Sequence, residues 1–398
     1  MSSSAEPYIY ADNAATTPLS PAALNAMMPY LTSSFGNPSG IHRVAREAAT
    51  ALSDARTQVA ALLSAAEADE IYFTSGGTES DNWVLRGAVQ RLRDLRGSGV
   101  TPRIITSSIE HHAVLHTCRA LEREGVQVTY LPVDACGRVH AVDLEAALAC
   151  DARDVALVSV MLANNEVGTI EPIRELASIA HAHGVPFHTD AVQAVGHIPV
   201  NVADLGVDAL SLSAHKFHGP RGIGALYLRE GFSIPSFIEG GAQERGERAG
   251  TENLAGVVGM AAALDEALAA LSESMPRVAA LRNELTEHVV KSTDRVQVTG
   301  DPEHRLPSIA SFICDNVDGE LLVVLLDHAG VAAATGSACS TGSTGPSHVL
   351  SALGLDEAQA KGALRISLAD DITQEEIDLL KERIPAAIQR ARLMSGLA

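Results

Sequence analysis

Residues 207–228 read VDALSLSAHKFHGPRGIGALYL. Two apolar, strand-like runs, VDALSL and IGALYL, flank a break that sets Lys216 between His215 and Phe217, with Gly219, Gly222 and Gly224 after it. Working outward, similar runs recur at IYF (from 71), RIIT (103), VQVTYL (126), VALVSV (155) and VPFHT (185). Helical stretches separate them, among them Glu79–Arg96, His111–Glu124 and Glu171–His183. Strand, helix, strand at this spacing predicts an α/β fold: a large domain with a mostly parallel seven-stranded sheet flanked by helices. From Asn253 the pattern changes. An Ala/Leu-rich helix over roughly 254–292, interrupted by Pro276, precedes IASFIC (309), VAAA (331), ALRISL (363) and a terminal helix from about 373. These predict a smaller α+β C-terminal domain. The expected division is 16–258 for the large domain and 259–398 for the small one, with 1–15 packing on the latter.

Composition sets bounds. With 398 residues, 46% of them hydrophobic, the chain can bury a sizeable core. A net charge of −20 argues against a basic face for nucleic acid. No run of eighteen or more apolar residues marks a membrane span. The opening MSSSAEPYIYADNAATTP has neither a basic region before an apolar run nor the arginines of a transit peptide, so a cytoplasmic protein is expected. Five cysteines, at 118, 136, 150, 314 and 339, form no CxxC pair; neither a disulfide framework nor a structural zinc site is expected.

Three places carry chemistry. In IYFTSGGTES (71–80) a strand ends, Gly76 and Gly77 turn the chain, and Thr78-Glu79-Ser80 opens a helix. N–H groups and hydroxyls there make an anion cup, without the Gly-Lys-Ser/Thr or spaced glycines of nucleotide loops. The plainer reading is a capped helix. In FHTDAVQAVG (187–196) a strand delivers Asp190 at its carboxyl end, where ligands of open α/β sheets bind, with Gln193 three residues on. Asp190 could hold a protonated ring nitrogen or simply cap the next helix. Lys216 also follows a strand's carboxyl end. Lysine is rarely buried without a partner, and burial favours the neutral, nucleophilic amine. A surface-loop lysine would explain neither the glycines nor the strands around it. An anion cup, an Asp for a ring nitrogen and a lysine for an aldehyde are the three handles of pyridoxal 5'-phosphate.

Ten blocks then resemble the cysteine desulfurases of the NifS/IscS type, in that family's order and over nearly the whole chain. They are YADNAATTPL (10–19), GNPSGIHR (36–43), YFTSGGTESDN (72–82), EHHAVL (110–115), NNEVGTIEPI (164–173), HTDAVQA (188–194), SAHKFHGPRGIGALY (213–227), GTEN (250–253), TGSACS (335–340) and RISL (365–368). The resemblance implies a fold-type-I pyridoxal-phosphate homodimer that converts L-cysteine to L-alanine. It leaves the sulfur as a persulfide on an enzyme cysteine, for a sulfur-acceptor protein such as an iron–sulfur scaffold.

The resemblance also implies roles. Lys216 is the Schiff-base lysine, Asp190 the pyridinium partner, and Gln193 the side chain on the ring hydroxyl. Gly77, Thr78, Ser213 and His215 hold the phosphate, and Thr251 reaches it from the other subunit. His111 stacks on the ring and can carry protons near neutral pH. Asn165, Arg365 and Asn37 bind the substrate, Arg365 through the fork that suits a carboxylate. Cys339 is the sulfur carrier; its run TGSACSTGSTGPSH (335–348) offers little to bury a thiol. No carboxylate or Cys set completes a metal site beside His111, His112 and His116, so no metal is expected.

At Gly77 many members of the family have alanine, a change a turn is expected to absorb. The closing IPAAIQRARLMSGLA (384–398) lacks the apolar, aromatic tail with which some members dock a scaffold, so a NifS-like or specialised member is expected. Three alternatives stay open. A selenocysteine lyase or an aminotransferase of the same fold would depend less on Cys339, or not at all. A silent scaffold is the third, and intact Lys216, Asp190, His111 and Cys339 argue against it.

Overall fold

The computed structural model describes residues 7–97, 99–149, 152–336 and 346–394. After a short strand β1 (Ile9–Tyr10), seven strands form one sheet. They are β2 (Ile71–Thr74), β3 (Arg103–Ser107), β4 (Gln127–Leu131), β5 (Val155–Ser159), β6 (Phe187–Asp190), β7 (Ala209–Ser213) and β8 (Gly224–Leu228). Each falls on one of the seven runs read from the sequence. Their order is β2-β8-β7-β6-β5-β3-β4. All pairs are parallel except those of β8, which runs against both neighbours. The reversal has a simple cause: residues 214–223 are too few for the crossover that a parallel return needs. Strands β5, β7 and β8 are buried along their whole length, as strands covered on both faces must be.

A second apolar cluster gathers around β9 (Val296–Val298), β10 (Ile309–Cys314), β11 (Val331–Ala332) and β12 (Ala363–Ser367). Strands β12, β10 and β9 form an antiparallel sheet, and β1 pairs in parallel with β11, tying the start of the chain to this part. β9 escaped the sequence reading because it is short, polar in part and half-exposed.

One helix, Leu254–Ser292, links the two cores, and position 258/259 falls inside it. Leu254, Val257, Met260 and Leu264 pack into the first cluster, and Val278, Leu281, Leu285 and Val289 into the second. By length and composition alone the helix could cross a membrane, but here its apolar residues build the two cores. Pro276 does not interrupt it, contrary to expectation. Proline removes one bond, to the carbonyl of Ser272, and Ser272 is exposed to solvent, where that loss is mild.

Candidate active site

Strands β2, β3, β5, β6 and β7 run in one sense and deliver Thr74, Ser107, Ser159, Asp190 and Ser213 to one side of the sheet. A cavity of 470 Å³ opens there, completed by residues 14–16, Asn165 and Arg365 of β12. Of the expected residues it gathers Gly77, Thr78, His111, Asn165, Asp190, Gln193, Ser213, His215, Lys216 and Arg365.

Lys216 ends a single 3-10 turn, Ala214–Lys216, directly after β7. The turn is tight. A Cβ on Gly219 would lie 2.7 Å from Ala214 Cβ, and one on Gly224 2.5 Å from the Leu212 carbonyl. The lysine is 9% exposed, and its Nζ donates to the carbonyls of Ala14 (2.6 Å) and Ala15 (2.9 Å). Gln193 Nε2 donates to the same Ala14 carbonyl at 2.9 Å, so one loop positions both side chains. Asp190 caps no helix, because residues 192–197 form turns. Its Oδ1 accepts from the Val192 N–H at 2.9 Å, and the carboxyl still lines the cavity. Burial raises Asp190 to about 6, against the pull of that N–H and of Lys216.

The helix Gly77–Arg96 begins with no side-chain cap, which favours the anion cup over the capped helix. Thr78, Ser213 and His215 ring that start, and Arg221, not singled out in the sequence, adds a cation. Gly77 is not interchangeable with alanine here: a Cβ would lie 2.5 Å from Val192 Cγ2. Valine's branched side chain is stiff, so it cannot swing aside freely. Gly77→Ala is therefore expected to cost about 1–3 kcal/mol, and Val192→Ala in the same chain to recover most of it. Thermal melts of the two variants and their combination check this; equal costs in both backgrounds would refute it.

His111 caps the helix His112–Arg123. Its Nδ1 accepts from the Ala113 N–H at 3.1 Å, which leaves the ring proton on Nε2. Burial lowers it to about 4, helped by Lys216, His112, His348 and His116. It is therefore a neutral donor near pH 7 and not the near-neutral proton carrier expected. His112 stacks on His116 and on His348, at ring-centroid distances of 4.8 and 4.9 Å. The carboxylates that the sequence reading did not find beside these histidines exist: oxygens of Asp81 and Asp190 and a ring nitrogen of His111 lie within 4.8 Å of one another. Asp81 stands four residues after Gly77, on the same helix face, and that spacing was its one signal.

Arg365 is 2% exposed. Nη1 donates to the Asn165 carbonyl (2.9 Å) and Nη2 to Asp12 Oδ1 (2.7 Å), while Nε is buried without a partner. Arg365 thus brings a positive charge to the cavity wall, which favours an acidic ligand there.

Glu110, next to His111, is fully buried; it accepts from Ser107 Oγ and the Met161 N–H, and Oε2 has no partner. Burial raises it from 4.5 to about 8. Between those values the folded chain keeps a proton that the unfolded chain releases, so Glu110 costs stability as pH rises through this window, by up to about 1.4 kcal/mol per pH unit. Glu110→Gln cannot titrate. Its melting temperature is expected to gain on wild type between pH 5 and pH 8; a constant difference would refute this.

Two expected residues stand apart. Asn37 lies in an exposed loop and spends its Oδ1 on the Ser39 N–H, and Thr251 is exposed outside the cavity. Cys339, like Cys150, lies outside the described residues. Cys118 and Cys314 are buried thiols that burial pushes up to about 12, which makes them inert.

The sequence profile of the family described as Aminotransferase class-V matches residues 9–380. Over 389 residues the chain is 47% identical to a cysteine desulfurase IscS of Methanosarcina thermophila, covering 98% of this chain and 94% of the relative. A solved NifS-like protein superposes with a TM-score of 0.88 at 38% identity, over 96% of this chain and 100% of the other. A structure described as SspA in complex with cysteine superposes with a TM-score of 0.78 at 35% identity, over 90% and 98%.

Proposed function

This chain belongs to the class-V aminotransferase family as a cysteine desulfurase of the NifS/IscS type, and from that premise we propose that its Lys216 cavity holds pyridoxal 5'-phosphate and passes the sulfur of L-cysteine to Cys339. One observation carries the reading. An amine, a carboxyl on a strand's end and a guanidinium converge on a single cavity.

The residues fit the cofactor. The uncapped helix start with Thr78, Ser213 and His215 suits its phosphate, Asp190 its ring nitrogen, Gln193 its ring hydroxyl and Lys216 its aldehyde. Once bound, the cofactor supplies an electron sink for bond breaking at the substrate's Cα. The chain's own groups do the rest. Arg365 draws the α-carboxylate with its guanidinium charge, with Asn165 beside it. Lys216, displaced by the substrate's amine, moves the α-proton at Nζ. His111 offers its Nε2–H to the ring face. The Cys339 thiolate bonds to the substrate sulfur as the Cβ–S bond breaks. The released electron pair and a proton complete the methyl group of alanine, and Cys339 keeps the sulfur as a persulfide.

Thr251 and Asn37 suit a homodimer in which a second copy supplies them. Leu31, Phe35 and Ile41, around Asn37, are 59, 77 and 91% exposed, apolar surface of the kind a partner subunit covers. The sulfur acceptor is proposed to be a protein of iron–sulfur or other thio-cofactor assembly, in the cytoplasm. The test is direct. Protein loaded with pyridoxal phosphate and given L-cysteine and a thiol reductant should release alanine and sulfide in equal amounts. Turnover of selenocysteine with no alanine from L-cysteine would favour the lyase reading instead.

A further inference from the structure

The proposed function, on which this inference rests, needs Asp190 ionised to hold the cofactor's ring nitrogen. The structure buries a second carboxyl group against it that the mechanism does not use. Asp81, on the helix Gly77–Arg96, is 1% exposed, and Asp190 is 4% exposed. Their oxygens lie within 4.8 Å of each other and of a His111 ring nitrogen.

The surroundings of Asp81 are defined on every side. From β6 come Asp190 and His188, whose Nε2 is 3.7 Å from Asp81 Oδ1. Burial first, and then the nearby Asp190, push the Asp81 carboxyl well up, while the Ser211 hydroxyl of β7 pulls the other way. From the turn before the helix His112–Arg123 come Glu110 and His111. His188 brings no charge. Its Nδ1 meets Ser159 Oγ at 2.9 Å and its Nε2 meets Ser211 Oγ at 3.0 Å. That is a chain of neutral donors and acceptors, and burial holds the ring neutral, down at about 3. Lys216 favours the ionised form of Asp190. Asp81 Oδ1 itself is buried without a hydrogen-bond partner. Two carboxylates this close, both out of water, cannot both carry charge cheaply.

We propose that Asp81 is a positioning residue that keeps its proton as a neutral carboxylic acid, so that Asp190 alone is the ionised carboxylate facing the cofactor ring. The pair divides the work by environment, one acid neutral and one charged, as paired carboxyl groups in a dry site must.

Infrared spectroscopy of protein carrying 13C-labelled aspartate tests this, because Glu110 is then silent. Wild type at pH 7.5, with or without pyridoxal phosphate, is expected to show a neutral aspartic-acid carbonyl band that Asp81→Asn lacks. In the loaded protein, the visible absorption of wild type is expected to show an alkaline inflection as Asp81 finally ionises beside Asp190. Asp81→Asn, which fixes the neutral form, should lose that inflection. Asp190→Asn should weaken cofactor retention about tenfold or more. Absence of the neutral band in wild type, or its survival in Asp81→Asn, overturns the proposal; so does an alkaline inflection unchanged in Asp81→Asn. The wild-type infrared band needs no turnover, and only its assignment uses the folded Asp81→Asn variant. It therefore separates failure of this inference from failure of the desulfurase reading, which would appear as no cofactor binding or no alanine.

Discussion

Lys216→Ala is expected to lower alanine formation from L-cysteine by about 10⁴-fold or more. The substitution removes two functions at once: the covalent handle for the cofactor and the amine that moves the α-proton. Among the described residues, no other lysine lines the cavity. The turn Ala214–Lys216 aims one amine at the cavity, and the Ala14 and Ala15 carbonyls hold it there. In the variant the Ala15 carbonyl loses the Lys216 donor while Ala14 keeps Gln193 Nε2, which costs stability of about 1–3 kcal/mol. A melting curve recorded beside the assay separates that loss from the chemical one. The cofactor should also wash out on dialysis. An ordinary rate in well-folded Lys216→Ala would refute the role.

Asp190→Asn is expected to lower the rate by about 10²–10³-fold. The amide keeps the size of the side chain but removes the charge that pairs with a protonated ring nitrogen. Burial places Asp190 at about 6 before any ring cation is present, so the carboxylate form dominates above that pH and is lost below it. Its contribution to rate should therefore fall as pH drops. A bound cationic ring extends the active range downward, because an opposite charge favours the ionised acid. In a pH–rate series, the ratio of wild type to Asp190→Asn should shrink on the acid side. A ratio that stays near one at every pH would show that the charge of Asp190 is not used.

Much of this was legible in the sequence because it rests on local rules. The seven strands of the main sheet announce themselves as β-branched runs, and their carboxyl ends place Asp190, Lys216 and the Gly76-Gly77 turn together. What the sequence hid depends on distant partners. Gly77 looked replaceable until the fold brought Val192 to within 2.5 Å of a Cβ there. His111 looked like a proton carrier until the fold buried it, with Lys216 and three other histidines nearby. Arg365 reads as a carboxylate binder, yet only the structure shows that Asp12 and Asn165 take its terminal nitrogens. Pro276 reads as a break because proline ends most helices, but exposure of Ser272 makes the lost bond tolerable. Asp81 was missed because its meaning lies in Asp190 and His188, which belong to a strand distant in sequence.

The central claim is that this cavity strips sulfur from L-cysteine and hands it to Cys339. The measurement that tests it most directly is alanine formed from L-cysteine, with a thiol reductant, by cofactor-loaded wild type and Cys339→Ala side by side. Wild type is predicted to make alanine steadily and to carry a persulfide before the reductant is added. Cys339→Ala should keep its bound cofactor and its fold yet fall by about 10²-fold or more. Equal rates from the two proteins would contradict the account, because sulfur would then leave without passing through Cys339.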